Sequence, residues 1–329
     1  MQPTTTKRRR VPGSGLALAA GLLAGLWLDT SRRKARAERQ HPPAGHFVNA
    51  DGVTLHYLDR GPKNGRPVVF LHGNGILADD WALSILDRAS RDHRCVCFDR
   101  PGHGYSEPAH LHSSPSAQAA ILAAACRKLG LKKPIVVGHS LGGAVALAWA
   151  LDFPDEVGGL VILSAFTHPT PRADFIPFMG PAIPLLGPVM SRTVLQPLDR
   201  LILGPLMRHV FAPNPVPESY DAIPPDLLLR PTQLEAGAAQ IAALIPGVAA
   251  MAPRYPDIRC PTAIVAGEAD RIVDPWGHAV RLHDAVRGST LHLLAETGHM
   301  PHHARPEAVL AAIGRVEREL AAEPAEAVS

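Results

Sequence analysis

Five residues, Gly138-His139-Ser140-Leu141-Gly142, constrain this chain more than any others. The apolar run Pro134-Ile135-Val136-Val137 leads into them, and the small-residue helical pattern Gly143-Ala144-Val145-Ala146-Leu147-Ala148-Trp149 leads out. Strand, sharp turn, helix is the context in which G-x-S-x-G becomes a nucleophile elbow, with the serine hydroxyl projecting above a sheet. Such a turn strains the serine backbone and requires small residues two positions to either side; both are glycine here. The N–H groups that open the following helix face the negative charge that develops on an attacked carbonyl.

An activated serine needs a base and an acid to orient that base, expected in the order Ser, Asp/Glu, His. The short apolar strand Thr262-Ala263-Ile264-Val265-Ala266 ends at Gly267-Glu268-Ala269-Asp270, and the strand Thr290-Leu291-His292-Leu293-Leu294 leads into Glu296-Thr297-Gly298-His299. Both candidates, Asp270 and His299, fall just past the C-terminal end of a strand, the edge where catalytic groups gather in open parallel sheets. Glu268 and Asp274 compete with Asp270 but lie two residues before it and one turn beyond it. Upstream, the strand Arg66-Pro67-Val68-Val69-Phe70-Leu71 runs into the tight loop His72-Gly73-Asn74-Gly75. A backbone N–H of that loop, paired with the N–H of Leu141, can form an oxyanion hole. A further strand, Cys95-Val96-Cys97-Phe98, precedes the turn Asp99-Arg100-Pro101-Gly102-His103-Gly104-Tyr105-Ser106.

Together these motifs resemble the α/β-hydrolase superfamily over roughly residues 46 to 320: the H-G-x-G loop, the D-R-P-G-x-G-x-S loop, the elbow, the G-x-x-D turn and the G-H turn, in the family's order. The resemblance implies an α/β fold, a doubly wound, mostly parallel sheet with a helical cap inserted after strand 6. It implies Ser140 as nucleophile, His299 as base, Asp270 as orienting acid, and the backbone N–H groups of Asn74 and Leu141 as oxyanion donors. It implies no cofactor and no metal. The His72-Gly73-Asn74 loop followed by Asp80-Trp81 is similar to that of epoxide hydrolases and haloalkane dehalogenases, which carry aspartate at the elbow. Serine there favours attack on an acyl carbon, which needs the histidine, over attack on an alkyl carbon. The expected reaction is cleavage of an ester, thioester, lactone or amide of a small acyl substrate. Acyl transfer or carbon–carbon bond hydrolysis on the same triad, and a non-hydrolytic accessory or binding role on the same scaffold, are the alternatives.

The formal charge of +3 is uneven: residues 1–40 hold nine Lys/Arg against Asp29 and Glu38, so the remainder is acidic, with no nucleic-acid footprint. Val11 to Leu28 is an uncharged, mostly apolar stretch of 18 residues between basic clusters. It sits at the lower edge of a spanning helix and above most signal-peptide cores, and points to a membrane anchor. A secreted form after signal cleavage and a transit-type leader are the alternatives, and charges on both flanks leave orientation open. The expected organisation is a targeting segment and basic linker over 1–45, a core in two parts (46–165 and 256–320), a cap or lid over 166–255 and a flexible tail over 321–329.

Within the cap segment, prolines at 169, 171, 177, 181, 184 and 188 fall among apolar residues, and Leu201-Ile202-Leu203, Leu206, Met207, Val210 and Phe211 follow. The pattern predicts short, kinked helices with one face on the core and the other able to line an apolar pocket or meet a membrane. Cys95, Cys97, Cys126 and Cys260 read as reduced thiols. His139, His72 and His103 read as packing or loop-stabilising residues, and Tyr220 and Tyr255 as surface or packing residues, with hydrogen-bond donation from the cap as the alternative. His299, His302 and His303 are not read as a metal cluster, because the elbow already accounts for His299.

Overall fold

In the computed structural model, which describes residues 13–108 and 113–326, every strand read from the sequence is present. The apolar runs form β3 (Arg66–Leu71), β4 (His93–Phe98), β5 (Ile135–His139), β6 (Gly159–Leu163), β7 (Thr262–Gly267) and β8 (Thr290–Leu294). Preceding them is a hairpin, β1 (His46–Ala50) and β2 (Val53–Arg60), that the sequence reading did not assign. One eight-stranded sheet results, in the order β1-β2-β4-β3-β5-β6-β7-β8, with β1–β2 and β2–β4 antiparallel and all other pairs parallel. All residues of β5, β6 and β7 are buried, because helices cover both faces and such strands cannot alternate with water.

The helices are α1 (Gly13–Gln40), α2 (Asp79–Ala82), α3 (Leu86–Ala89), α4 (Pro115–Lys128), α5 (Leu141–Asp152), α6 (Leu186–Arg192), α7 (Leu195–Phe211), α8 (Pro225–Leu228), α9 (Pro231–Met251), α10 (Arg281–Ala285), α11 (Pro301–Ala304) and α12 (Pro306–Glu326). Two core layers flank the sheet. One holds α4, α5 and part of α9 with Trp149 and Tyr255; the other holds α3 and α12 with Trp81.

Three expectations need correction. The apolar N-terminal segment does not give way to a linker after Leu28: α1 continues to Gln40. Residues 32–40 are Arg, Lys, Ala, Glu and Gln, good helix formers, with i,i+4 pairs Asp29–Arg33 and Lys34–Glu38, and the last turns dock on α8, burying Ala37 and pairing Glu38 with Arg230. Val11 and Pro12 of the proposed anchor lie outside the described residues. The tail is helical as far as Glu326, at the end of α12, and Ala327 to Ser329 lie outside the described residues.

Between β6 and β7, the early prolines do break the chain into a 3₁₀ stretch over Ala173–Ala182 and the seven-residue α6. Beyond them, α7 and α9 run for 17 and 21 residues with Pro205 and Pro246 inside. The cap is therefore only partly built of short helices. By length and composition, Pro231–Asp257 could cross a membrane, but in the fold it packs on α4, α5 and the 3₁₀ stretch.

Candidate active site

Ser140 closes β5 at φ 54° and ψ −120°, a conformation that side-chain-bearing residues rarely adopt, worth on the order of 1–3 kcal/mol of strain. Close packing holds it there. A Cβ on Gly142 would lie 2.3 Å from the Leu71 carbonyl oxygen, and one on Gly138 would lie 2.5 Å from the Gly142 carbonyl oxygen. The Ser140 N–H donates to the Leu163 carbonyl at 2.9 Å, fixing the turn to β6. Leu141 is the first residue of α5, so its N–H has no intrahelical acceptor.

His299 Nδ1 donates to Asp270 Oδ2 at 2.8 Å. Asp270 Oδ1 accepts the N–H groups of Ile272 and Val273 at 2.8 and 2.9 Å, so the carboxylate is held from both sides. With Nδ1 engaged, Nε2 of His299 is the nitrogen left for the serine. Both side chains of the His299–Asp270 pair are nearly buried, and Ser140, His299 and Asn74 line one cavity of about 200 Å³. Of the competing acids, Asp274 caps its own turn by accepting from Trp276 and Gly277 N–H. Of the residues named from the sequence, Asn74, Ser140, Leu141 and His299 line this cavity, and Asp270 reaches it through its hydrogen bond to His299.

The loop histidines act within the walls. His139 Nε2 donates to the His299 carbonyl at 2.8 Å, tying the elbow to the loop that carries the imidazole. His72 Nδ1 donates to the Gly73 carbonyl at 2.7 Å while its Nε2 accepts from Arg100 N–H at 2.9 Å. Burial, with the Arg100 charge, lowers His72 to about 4, so it is neutral in this role. His103 accepts from Gly75 N–H at 3.3 Å.

Two groups in this region were named from the sequence only as parts of motifs, with no role assigned. Asp80 is fully buried below His139; its Oδ2 accepts from His302 Nε2 at 2.7 Å, and its Oδ1 from His303 Nε2 at 2.9 Å and Tyr220 Oη at 3.2 Å. Burial pushes the Asp80 carboxyl up, but His302 and then His303 outweigh it and hold it well below the carboxylate range. Burial also lowers His302, opposed by the Asp80 charge. Asp80, His139 and His302 bring ligand-type atoms within 4.8 Å of one another, yet both Asp80 oxygens are taken by those donors. Tyr220, read first as a surface or packing residue, is a buried donor linking the cap to this carboxylate, and Tyr255 Oη likewise donates to the Thr167 carbonyl. The second group is Arg100, a buried cation beneath the His72–Gly75 loop. The only sequence signal for it was its place inside the D-R-P-G motif.

The cavity wall is mostly apolar: Ile76, Leu141, Phe166, Leu206, Val210, Ile241, Ile272 and Met300 contribute to it, and among the described residues no lysine or arginine does. A second cavity of about 190 Å³ shares Asn74, Leu203, Leu206, Leu228 and Ile241 with it and contains Asp199, whose carboxyl burial raises to about 6. An open cleft of about 810 Å³ shares Leu203, Met207 and Leu228 with the first cavity and carries Arg200 and Arg208. Cys95, Cys97 and Cys126 are buried thiols, and burial pushes Cys95 up to about 12.

The alpha/beta hydrolase fold family matches residues 66–306, and the chain belongs to it. The 2-hydroxy-6-oxononadienedioate/2-hydroxy-6-oxononatrienedioate hydrolase 2 of Pseudomonas putida is 30% identical over 263 residues, 77% of this chain and 88% of that protein. Among solved structures, a membrane phospholipase A covers 93% of this chain and 96% of its own at TM-score 0.65 and 22% identity. The enol-lactonase from Burkholderia xenovorans LB400 covers 83% and 100% at TM-score 0.65 and 18% identity, and both are likenesses of fold. The chain is a hydrolase of the α/β fold.

Proposed function

We propose that this protein is a serine hydrolase that cleaves an ester or related acyl bond of an uncharged, lipophilic substrate. The Ser140 Oγ attacks the acyl carbon and its proton passes to His299 Nε2, while Asp270 stabilises the imidazolium. The carbonyl oxygen, now an anion, accepts from the N–H groups of Asn74 and Leu141. Collapse expels the alcohol with the proton from His299. Water, deprotonated by His299, then attacks the acyl-enzyme and releases the acid.

The observation that carries the substrate class is the wall of the Ser140 cavity, mostly apolar and without a lysine or arginine among the described residues. Relatives such as that of Pseudomonas putida act, by name, on dienedioates, which bear two carboxylates. Desolvating a carboxylate against this wall without a partner is costly, and the acidic Asp199 in the adjoining cavity adds repulsion. Carbon–carbon hydrolysis remains the second reading because those relatives carry it. Uncharged p-nitrophenyl esters of graded chain length, run beside a 2-hydroxy-6-oxo-dienoate, separate the two. The proposal expects ester turnover that Ser140→Ala abolishes in a folded protein, along with labelling by a fluorophosphonate. Preference for the dienoate, or normal turnover by Ser140→Ala, overturns it.

The same reading places the enzyme at a membrane, with residues 11–28 as anchor and the cap turned to the bilayer. Support comes from the basic flanks of that stretch and from exposed leucines on α1 at Leu16, Leu18 and Leu22.

A further inference from the structure

Arg100 is fully buried, and among the described residues no carboxylate pairs with it. Its guanidinium is caged by neutral oxygens instead. Nε donates to the His72 carbonyl at 2.8 Å and Nη2 to the Gly73 carbonyl at 3.0 Å. Nη1 donates to Gln118 Oε1 at 2.7 Å and to Gln240 Oε1 at 2.6 Å. The carboxamides are themselves fixed, because Gln118 Nε2 donates to the Ser113 carbonyl and Gln240 Nε2 to the Pro101 carbonyl. Burying a cation without a counter-ion is expensive, and an apolar residue of similar size would serve stability better. The expense points to a use at the site.

We infer that Arg100 is a positioning residue for the oxyanion donor, which it aims and polarises through the Gly73–Asn74 peptide. The inference rests on the reading of Asn74 N–H as that donor. The Gly73 carbonyl and the Asn74 N–H are opposite ends of one planar, trans amide, so fixing the oxygen fixes the direction of the hydrogen. Both lone pairs of that oxygen are occupied, one by Arg100 Nη2 and one by His72 Nδ1. Gly73 itself lies against the nucleophile: a Cβ there would stand 3.2 Å from Ser140 Cβ. A cation on the carbonyl end of an amide withdraws charge along it and makes the N–H a stronger donor, an effect that water does not screen at a buried site. The other arm of the guanidinium reaches Gln240 on α9, the helix that also supplies Gly237 and Ile241 to the cavities. The cap-side helix and the oxyanion loop thus share one cation.

The test uses the full-length chain and an alkyl trifluoromethyl ketone. Ser140 Oγ adds to its carbonyl carbon, the serine proton passes to His299, and the carbonyl oxygen becomes the anion that the hole must hold. Lysine at position 100 keeps the charge but cannot span both carbonyls with one ammonium. Arg100→Lys is expected to lower kcat by about 10- to 100-fold, less than the outright loss of a donor, with KM within about twofold. Affinity for the ketone should fall by the same factor, while affinity for the unreactive alkyl alcohol product stays unchanged. Should Arg100→Lys lack a cooperative melt, Gln240→Met takes over: it removes one of the two acceptors of Nη1, leaving Gln118, and should weaken the ketone by about three- to tenfold. Parental ketone affinity in the variant that folds overturns the inference, as does a kcat loss without a matching loss of ketone affinity. A parent protein that neither binds the ketone nor turns over esters overturns the hydrolytic reading and this inference together.

Discussion

Asp270 commits one oxygen to two backbone N–H groups and the other to His299, so its replacement by asparagine changes little in shape and much in tautomer. An amide at this position can present its N–H₂ to Nδ1, which moves the imidazole proton to Nε2 and removes the base. Asp270→Asn is expected to lose on the order of 10⁴-fold in kcat, as in other serine triads, with a circular dichroism spectrum like the parent's. A loss under tenfold in steady-state ester assays would place the orienting acid elsewhere. The glycines of the elbow give a stability counterpart. The Cβ of Gly142→Ala would meet the Leu71 and His72 carbonyl oxygens at 2.3 and 2.5 Å, both of them backbone atoms in or beside the sheet. Overpacking of this kind costs about 1–3 kcal/mol, and a fall of several degrees in melting temperature is expected by scanning fluorimetry. Ser140, Asp270 and His299 were legible because each sits in a short motif whose backbone geometry dictates the residue type. Asp80 and Arg100 were not, because charged side chains read as surface until the fold shows what encloses them.

At the level of elements, the strands with continuous apolar runs were legible and the hairpin of β1 and β2 was not, since Phe47, at half exposure, and His46 interrupt any burial pattern. The extension of α1 beyond Leu28 was hidden by its charges, which look like a linker until α8 supplies a surface for Ala37 and Glu38. The helix α7 runs through the interior Pro205, where the sequence pattern predicts short, kinked helices, and carries Asp199 to the lining of the second cavity. Burial raises that carboxyl from its ordinary 3.8 to about 6, so between those values the folded chain binds more protons than the unfolded one. Its contribution is present below the lower value and is lost as pH rises through the higher one. Asp199→Asn should therefore melt close to the parent at pH 4 and above it at pH 7.5, in matched ionic strength. An equal difference at both pH values would mean that this carboxyl is not titrating against burial.

For the molecule as a whole, the distribution of exposed apolar side chains outweighs their number. Among the described residues, 18 large hydrophobic side chains are exposed, and all but Phe47 and Trp276 lie on α1 or between Ile176 and Ile202. Leu185 and Leu201 are 91% and 76% exposed. These elements touch: α1 packs on α6, Trp27 receives the Arg192 guanidinium over its ring, and α6 packs on α7 and the 3₁₀ stretch. A concentration of this size on one side exceeds what scattered surface leucines explain, and the same segment supplies Phe178, Leu195 and Ile202 to the second cavity. If that side lies in a bilayer, each leucine buried there contributes about 1.5–3 kcal/mol, so removing two should weaken binding by well over about tenfold. Leu198→Glu combined with Leu201→Glu is accordingly expected to shift the protein from the pellet to the supernatant when sedimented with vesicles containing anionic lipid. Turnover of a short, water-soluble ester should persist, because neither side chain lines the Ser140 cavity. The double variant sedimenting like the parent would mean that α1 alone carries the attachment and that the cap faces water.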